Sequence, residues 1–206
     1  MSTFFITGIS TEVGKTVAAA IITEALQADY WKPIQAGDLA NSDTHKLKRL
    51  VSNDISQYHD NAFALKTPMS PHAAAKMDDI IISASKIKRP KTKNTLVIEG
   101  AGGVLVPIND TETVAQLIAP KDKVIIVSRH YLGSINHTLM TVEVLKARKL
   151  NIAGILFSGE EHPTTEAIIE KMSQVPILGR IDEEPYIDAN VVSEYADRFR
   201  EKLLSL

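Results

Sequence analysis

The 206-residue sequence predicts one doubly wound α/β domain over residues 1–206, a mostly parallel sheet with helices on both faces. Three observations predict it. Short β-branched runs alternate with longer helical stretches along the chain. The runs are continuously apolar rather than alternating, as expected of strands covered by helices on both sides. No linker, repeat or low-complexity tract divides the chain, and a 44% hydrophobic content suffices for one sizeable core.

Phe4–Gly8 (FFITG) reads as a buried strand, and the loop after it feeds a helix over Lys15–Ala28. A short strand over Tyr30–Ile34 (YWKPI) precedes a short helix over Asp43–Val51. Ser70–Ala75 (SPHAAA) suits a helix start with Pro71 in its first turn. Thr95–Gly100 is the next buried strand, followed by a helix over Thr111–Ile118 that stops before Pro120. Lys123–Ser128 and Ile152–Gly159 are strands around a long periodic helix, Ile135–Lys149. A helix over Pro163–Ser173, a short strand over Val175–Gly179 and a helix over Ala189–Leu204 follow. In such sheets the ligand sits beyond the carboxyl ends of the strands. Gly8, Gly100 to Gly103, Gly133 and Gly159 all fall there.

Composition excludes several classes. Lys plus Arg number 23 against 25 for Asp plus Glu, so no charge excess points to nucleic acid or an anionic membrane. The densest basic run, Lys86–Lys93, lacks interleaved aromatics and reads as a solvated helix end and loop. With no cysteine there is no disulfide, thiolate zinc site or Cys nucleophile, and the six histidines lack close metal-ligand spacing. The N-terminus has no basic region ahead of its short apolar run, and no run approaches a membrane span. A cytoplasmic protein is expected.

The stretch TGISTEVGKT, Thr7 to Thr16, is the strongest local signal. A strand, a Gly-bounded loop, Gly-Lys-Thr and a helix together form a polyphosphate site, because backbone N–H groups and the helix N-terminus converge on phosphate oxygens. Lys15 can reach the β- and γ-phosphates and the Thr16 hydroxyl can ligate Mg²⁺. The fold is therefore expected to be of the phosphate-loop NTPase type. The loop carries five residues, Ile9 to Val13, where the general pattern has four. It lacks the early lysine of partitioning-type loops, and no Asn-Lys-x-Asp motif points to a regulatory GTPase.

Other segments supply the rest of a candidate site. Glu99 ends a buried strand where such proteins place a second Mg²⁺ handle, and Gly100, Ala101, Gly102 and Gly103 follow it. Asp43, in NSD, is either a second acid or an ordinary helix N-cap. Lys32 lies at the end of the second strand. Gly133 and Ser134 precede a long helix whose first turn holds Asn136 and His137, a place suited to a carboxylate or simply a capped structural helix.

In order, TGISTEVGKT, KPIQAG, NSD, SPHAAA, EGAGGVLVPI, LGSINHTLMT and PILGRI resemble the dethiobiotin synthase family. The resemblance spans most of the chain. It implies an enzyme that joins CO₂ to 7,8-diaminopelargonic acid with ATP and Mg²⁺ and closes a ureido ring, working as a homodimer whose pocket the partner chain completes. By that resemblance Lys15 and Lys32 neutralise phosphate charge, and Lys32 also holds the carbamate. Thr11 and Glu12 line the reacting centre. Thr16, Asp43 and Glu99 hold Mg²⁺. Glu12, Val13, Gly14, Lys15, Thr16 and Val17 cradle phosphates, with Gly100, Ala101 and Gly102 nearby. Gly102 also edges the substrate pocket. Gly133, Ser134 and Asn136 receive the substrate carboxylate across the dimer interface.

Three positions depart from the family's pattern. Ala36 stands where a substrate-contacting Ser is usual, and Ser10 where Asp is frequent. Ser158-Gly159 replaces the adenine-reading Asn-Asp. Ser158, or backbone groups there, with Ile181, Asp182 and Glu183 opposite, would have to read the base. ATP is expected to work, with weaker base discrimination than is usual.

Overall fold

A computed structural model describes residues 2–206. Its seven-stranded sheet has nine-strand numbering because two short strands lie apart from it. In chain order the strands are β1 (Thr3–Gly8), β2 (Asp29–Trp31), β3 (Ile34–Ala36), β4 (Tyr58–His59), β5 (Phe63–Leu65), β6 (Leu96–Gly103), β7 (Lys123–Arg129), β8 (Ile152–Ser158) and β9 (Ile177–Ile181). The helices are α1 (Lys15–Leu26), α2 (Asp43–Leu50), α3 (Pro71–Met77), α4 (Ser134–Ala147), α5 (Pro163–Ser173) and α6 (Ala189–Leu204). The main sheet runs β4-β2-β6-β1-β7-β8-β9 with every pair parallel, and β3 pairs with β5 in a small side sheet.

Period-two alternation within the apolar runs explains why they are continuous. Phe4 and Ile6 of β1 join the layer packed by α1 and α6, whereas Phe5 joins the layer containing Val142 and Leu145 of α4. Both faces are buried, so neither phase of the strand is polar. Ala18, Ala19 and Ala20 are fully buried in α1, where small side chains permit close approach to the sheet and α6. On α6, Val192, Tyr195, Ala196 and Leu203 form the inward stripe.

The structure differs from the sequence reading in three regions. The expected helix over Thr111–Ile118 is a single 3₁₀ turn, Val114–Leu117, because Thr113 and Gln116 satisfy its start and Ile118 is already extended. The strand expected over Tyr30–Ile34 divides at Lys32-Pro33 into β2 and β3, which belong to different sheets. The residue before a proline is biased toward extended backbone, and Pro33 has no N–H to continue a ladder. β4 and β5, of two and three residues, carried no pattern long enough to read.

β2 is not adjacent to β1, since β6 lies between them. All strands of the main sheet are parallel, so their carboxyl ends share one edge, and the phosphate loop, Lys32, Arg129 and Ser158 emerge there, whereas Glu99 does not end its strand as expected but lies within β6, in register with Ile6.

Candidate functional site

The loop between β1 and α1 ends at Gly14, whose φ of 90° is left-handed backbone open to glycine. A Cβ there would also lie 2.8 Å from Ser158 Oγ, so the loop is seated tightly against the end of β8. Lys15 opens α1 and folds back, its Nζ donating to the Ser10 carbonyl at 2.8 Å. Burial holds the Lys15 ammonium down to about 8; Glu99 opposes that shift, and Lys32 adds to it.

Beside the loop sits a buried charge cluster. Lys32 Nζ donates to Glu99 Oε1 at 2.9 Å and to Asp43 Oδ2. Glu99 is 1% exposed and also accepts from Thr16 Oγ1 at 3.0 Å and from the Tyr30 hydroxyl at 2.7 Å. Burial works against the Lys32 charge most strongly, but the Glu99 and Asp43 carboxylates outweigh it and hold its pKa above the ordinary lysine value. For Asp43 desolvation pulls upward, yet Lys32, helped by Lys46, leaves the carboxyl below its usual range. Burial, reinforced by Glu99, pushes Tyr30 well above the ordinary phenol value, so it is a donor at neutral pH.

The two readings of Asp43 are separated by its neighbour. Ser42 is the N-cap of α2, its Oγ accepting from the His45 N–H at 3.4 Å. Asp43 is thereby released from capping and turns to Lys32.

Thr11, Glu12, Gly14, Lys15, Thr16, Val17, Lys32, Ala36, Asp43, Glu99, Ala101 and Gly102 line one cleft of about 830 Å³. Val13 does not: its side chain is in the core. Gly100 is within β6, against Phe5 and Val114. Ser158 is 6% exposed and Ile181 is buried, while Gly159, Asp182 and Glu183 sit at the adjoining strand ends. Gly133, Ser134 and Asn136 begin α4 outside this cleft, Ser134 buried and the other two exposed. Asn136 Nδ2 donates to Met140 Sδ at 3.3 Å.

Sequence reasoning overlooked Tyr30, Asp38, Lys46, Met69 and Arg129. Asp38, Lys46, Met69 and Arg129 line the cleft and Tyr30 bonds Glu99. Only Arg129 carried a usable signal, its place just past the end of an apolar run.

Thr16, Asp43 and Glu99 fit Mg²⁺ by donor chemistry. A hydroxyl and two carboxylates are hard oxygen donors, and both carboxylates already reach one ammonium. Among the described residues no group of three or more His, Cys, Asp or Glu is placed to hold a metal ion. Two carboxylates and a hydroxyl match a cation that keeps water or phosphate oxygens as its remaining ligands.

One pH dependence follows. Only a protonated Lys15 would offer a charge to a phosphate on the loop. Affinity for ATP, measured by calorimetric titration across a pH series, is expected to be flat below pH 8 and to fall by about tenfold per unit above it. Undiminished affinity at pH 10 would contradict this.

A family profile described as "AAA domain" matches residues 2–191. The ATP-dependent dethiobiotin synthetase BioD of Christiangramia forsetii is 62% identical over 203 residues, covering 98% of each chain. The protein of the same name from Cytophaga hutchinsonii is 48% identical, covering 95% of this chain and 96% of its own. Among solved structures, the Pyrococcus furiosus cell division ATPase MinD superposes with a TM-score of 0.60 at 14% identity, over 98% of this chain and all of that one. A chain of the Aquifex aeolicus MinC:MinD cell division protein complex gives 0.56 at 16% identity, over 100% of this chain and 97% of that one. These last two likenesses show the fold alone, a mostly parallel sheet with helices on both faces; the near full-length identities show more, and the chain belongs to the family of ATP-dependent dethiobiotin synthetases, which are ligases.

Proposed function

We propose that the chain carboxylates 7,8-diaminopelargonic acid with CO₂ and closes the ureido ring at the expense of ATP, giving dethiobiotin, ADP and phosphate. One amine adds to CO₂ to give a carbamate. A carbamate oxygen attacks the γ-phosphorus and ADP departs. The second amine then attacks the carbonyl carbon of the mixed anhydride, loses a proton, and expels phosphate.

The observation that carries this reading is that Lys15 and Lys32 line one cleft with Glu99, which bonds Lys32 directly and acts on the Lys15 charge. Phosphoryl transfer needs positioning and charge stabilisation more than covalent help. Lys15 supplies a cation at the phosphate loop. Lys32, kept protonated by two carboxylates, supplies one where a carbamate oxygen would meet the γ-phosphate. Thr11, Glu12 and Gly102 line the same cleft. Mg²⁺ on Thr16, Asp43 and Glu99 would neutralise triphosphate charge. Gln35, bonded to the Gly37 carbonyl at 3.0 Å and to the Asp43 N–H at 3.3 Å, is committed elsewhere and does not replace a hydroxyl at Ala36.

The homodimer is part of the proposal. Leu105, Tyr131, Leu132 and Met140 are exposed, and a second hollow of about 420 Å³ lies between residues 103–107 and α4. A second copy over this face would bring its α4 N-terminus, with Gly133, Ser134 and Asn136, toward the substrate end of the cleft. No helix of the described residues is long and apolar enough to cross a membrane, in keeping with a proposed cytoplasmic location.

The test is phosphate release with Mg²⁺ and bicarbonate, with and without 7,8-diaminopelargonic acid. Release that depends on the diamine and yields dethiobiotin is the expected result. Release indifferent to the diamine would sink the proposal in favour of an ATP-driven switch.

A further inference from the structure

At the far end of the cleft from Lys32, the expected base-reading side chains are missing, and an ion pair stands over their place. Arg129 ends β7, in register with Ser158 of β8, which is in register with Ile181 of β9. Arg129 Nη2 donates to Glu183 Oε2 at 2.7 Å, so the pair arches over the end of β8. Beneath it is Gly159, where an added Cβ would lie 3.8 Å from Arg129 Cζ and 3.5 Å from Glu183 Oε2. Arg129 also lines the cleft that contains Gly14, Thr16 and Val17.

A brace is a weak explanation for this pair. Both side chains are 41% or more exposed, and an ion pair in that setting adds at most about 1 kcal/mol. A recognition role suits it better. Ser158 is a short side chain, 6% exposed, and is not among the residues that line the cleft, so it is poorly placed to read a base edge. Arg129 lines the same cleft as Gly14, Lys15 and Thr16, so the base of a nucleotide held by its phosphates on the phosphate loop would have this ion pair within the same cavity. A guanidinium is planar, weakly hydrated and stacks on aromatic faces.

Resting on the nucleotide site proposed above, we infer that Arg129, oriented by Glu183, is the platform on which the base of the bound nucleoside triphosphate stacks. Every base has a π-face, so a platform of this kind binds bases without selecting among them. Glu183 is a positioning residue that acts through Arg129.

Arg129→Ala and Glu183→Gln test this in the full chain, with ADP, CDP and GDP binding measured beside inorganic tripolyphosphate, which has no base. Arg129→Ala is expected to weaken all three nucleotides by about tenfold and to leave tripolyphosphate affinity at the wild-type value. Glu183→Gln is expected to weaken them less, and to add nothing once Arg129 is gone. Unchanged nucleotide affinity, an equal loss for tripolyphosphate, or a loss confined to one base would overturn the inference. An additive effect of Glu183→Gln would overturn its positioning role. Binding is read separately from dethiobiotin formation. Wild-type nucleotide binding without ring closure would thus fail the proposed reaction while leaving the platform standing.

Discussion

Lys32→Met is expected to abolish dethiobiotin formation and to destabilise the protein in the same stroke. The chemical loss is that of a cation at the reacting centre, a decrease in kcat/KM of about 10³ or more. The structural loss arises because Lys32 is the counter-ion of two carboxylates, one of them 1% exposed. Removing one partner of a buried ion cluster leaves uncompensated charge and costs about 3–5 kcal/mol. At this chain length each kcal/mol lowers the thermal midpoint by about 2–4 °C. Calorimetry should therefore show a drop on the order of 10 °C. Two further readings separate charge from packing. Mg²⁺ should raise the variant's midpoint more than the wild type's, because the carboxylates have lost their ammonium. Adding Glu99→Gln should recover part of the midpoint without activity. A wild-type midpoint, or surviving turnover, would defeat the assignment of Lys32.

Lys15→Met should also silence the enzyme, yet stabilise it. The side chain is 7% exposed, and its displacement from 10.5 to about 8 records roughly 3 kcal/mol of unfavourable charge burial. Methionine of similar length is free of that cost and loses only the bond to the Ser10 carbonyl. At pH 7 the thermal midpoint should rise by several degrees, while kcat/KM falls by about 10³. The sign with pH is fixed. The folded-state pKa lies below the unfolded one, so the wild type gains stability as pH rises from about 8 toward 10.5. The variant's advantage is therefore largest below pH 8 and shrinks above it. A midpoint equal to the wild type's at pH 7 would show that Lys15 is not strained by burial. The two lysines thus part company in stability although both are expected to be needed for turnover. One is embedded between its counter-ions, and the other meets its own in the ligand.

What could be read from the sequence was what lies in continuous stretches. β1, β6, β7 and β8 announced themselves because both of their faces are buried, which removes polar interruptions from the run. The phosphate loop did so because Gly14 and Lys15 must be neighbours for the backbone to turn and the amine to fold back. Side chains that converge from separate segments were harder. Tyr30 reaches Glu99 across 69 residues of chain, and nothing in YWKPI tells a buried phenol with a partner from a core aromatic. Asp43 stayed ambiguous until Ser42 was seen to hold the cap. Arg129 belongs to no motif; it faces Glu183, which the family resemblance had named, only because β7, β8 and β9 lie side by side.

The packing of α6 has a consequence for biogenesis. Phe199 and Leu203 close on Ile22 of α1, Ile125 of β7, Leu156 of β8 and Leu178 of β9. The helix that carries Lys15 is thus covered by an element that is synthesised later than β1 to β9 and α1 to α5. Until α6 has emerged, a nascent chain holds an open apolar seam beneath its phosphate loop. Such a seam is the kind of surface that aggregates or recruits chaperones. Premature termination within α6 would therefore produce a sticky polypeptide rather than a slightly shorter ligase, even though every proposed site residue lies upstream of the break.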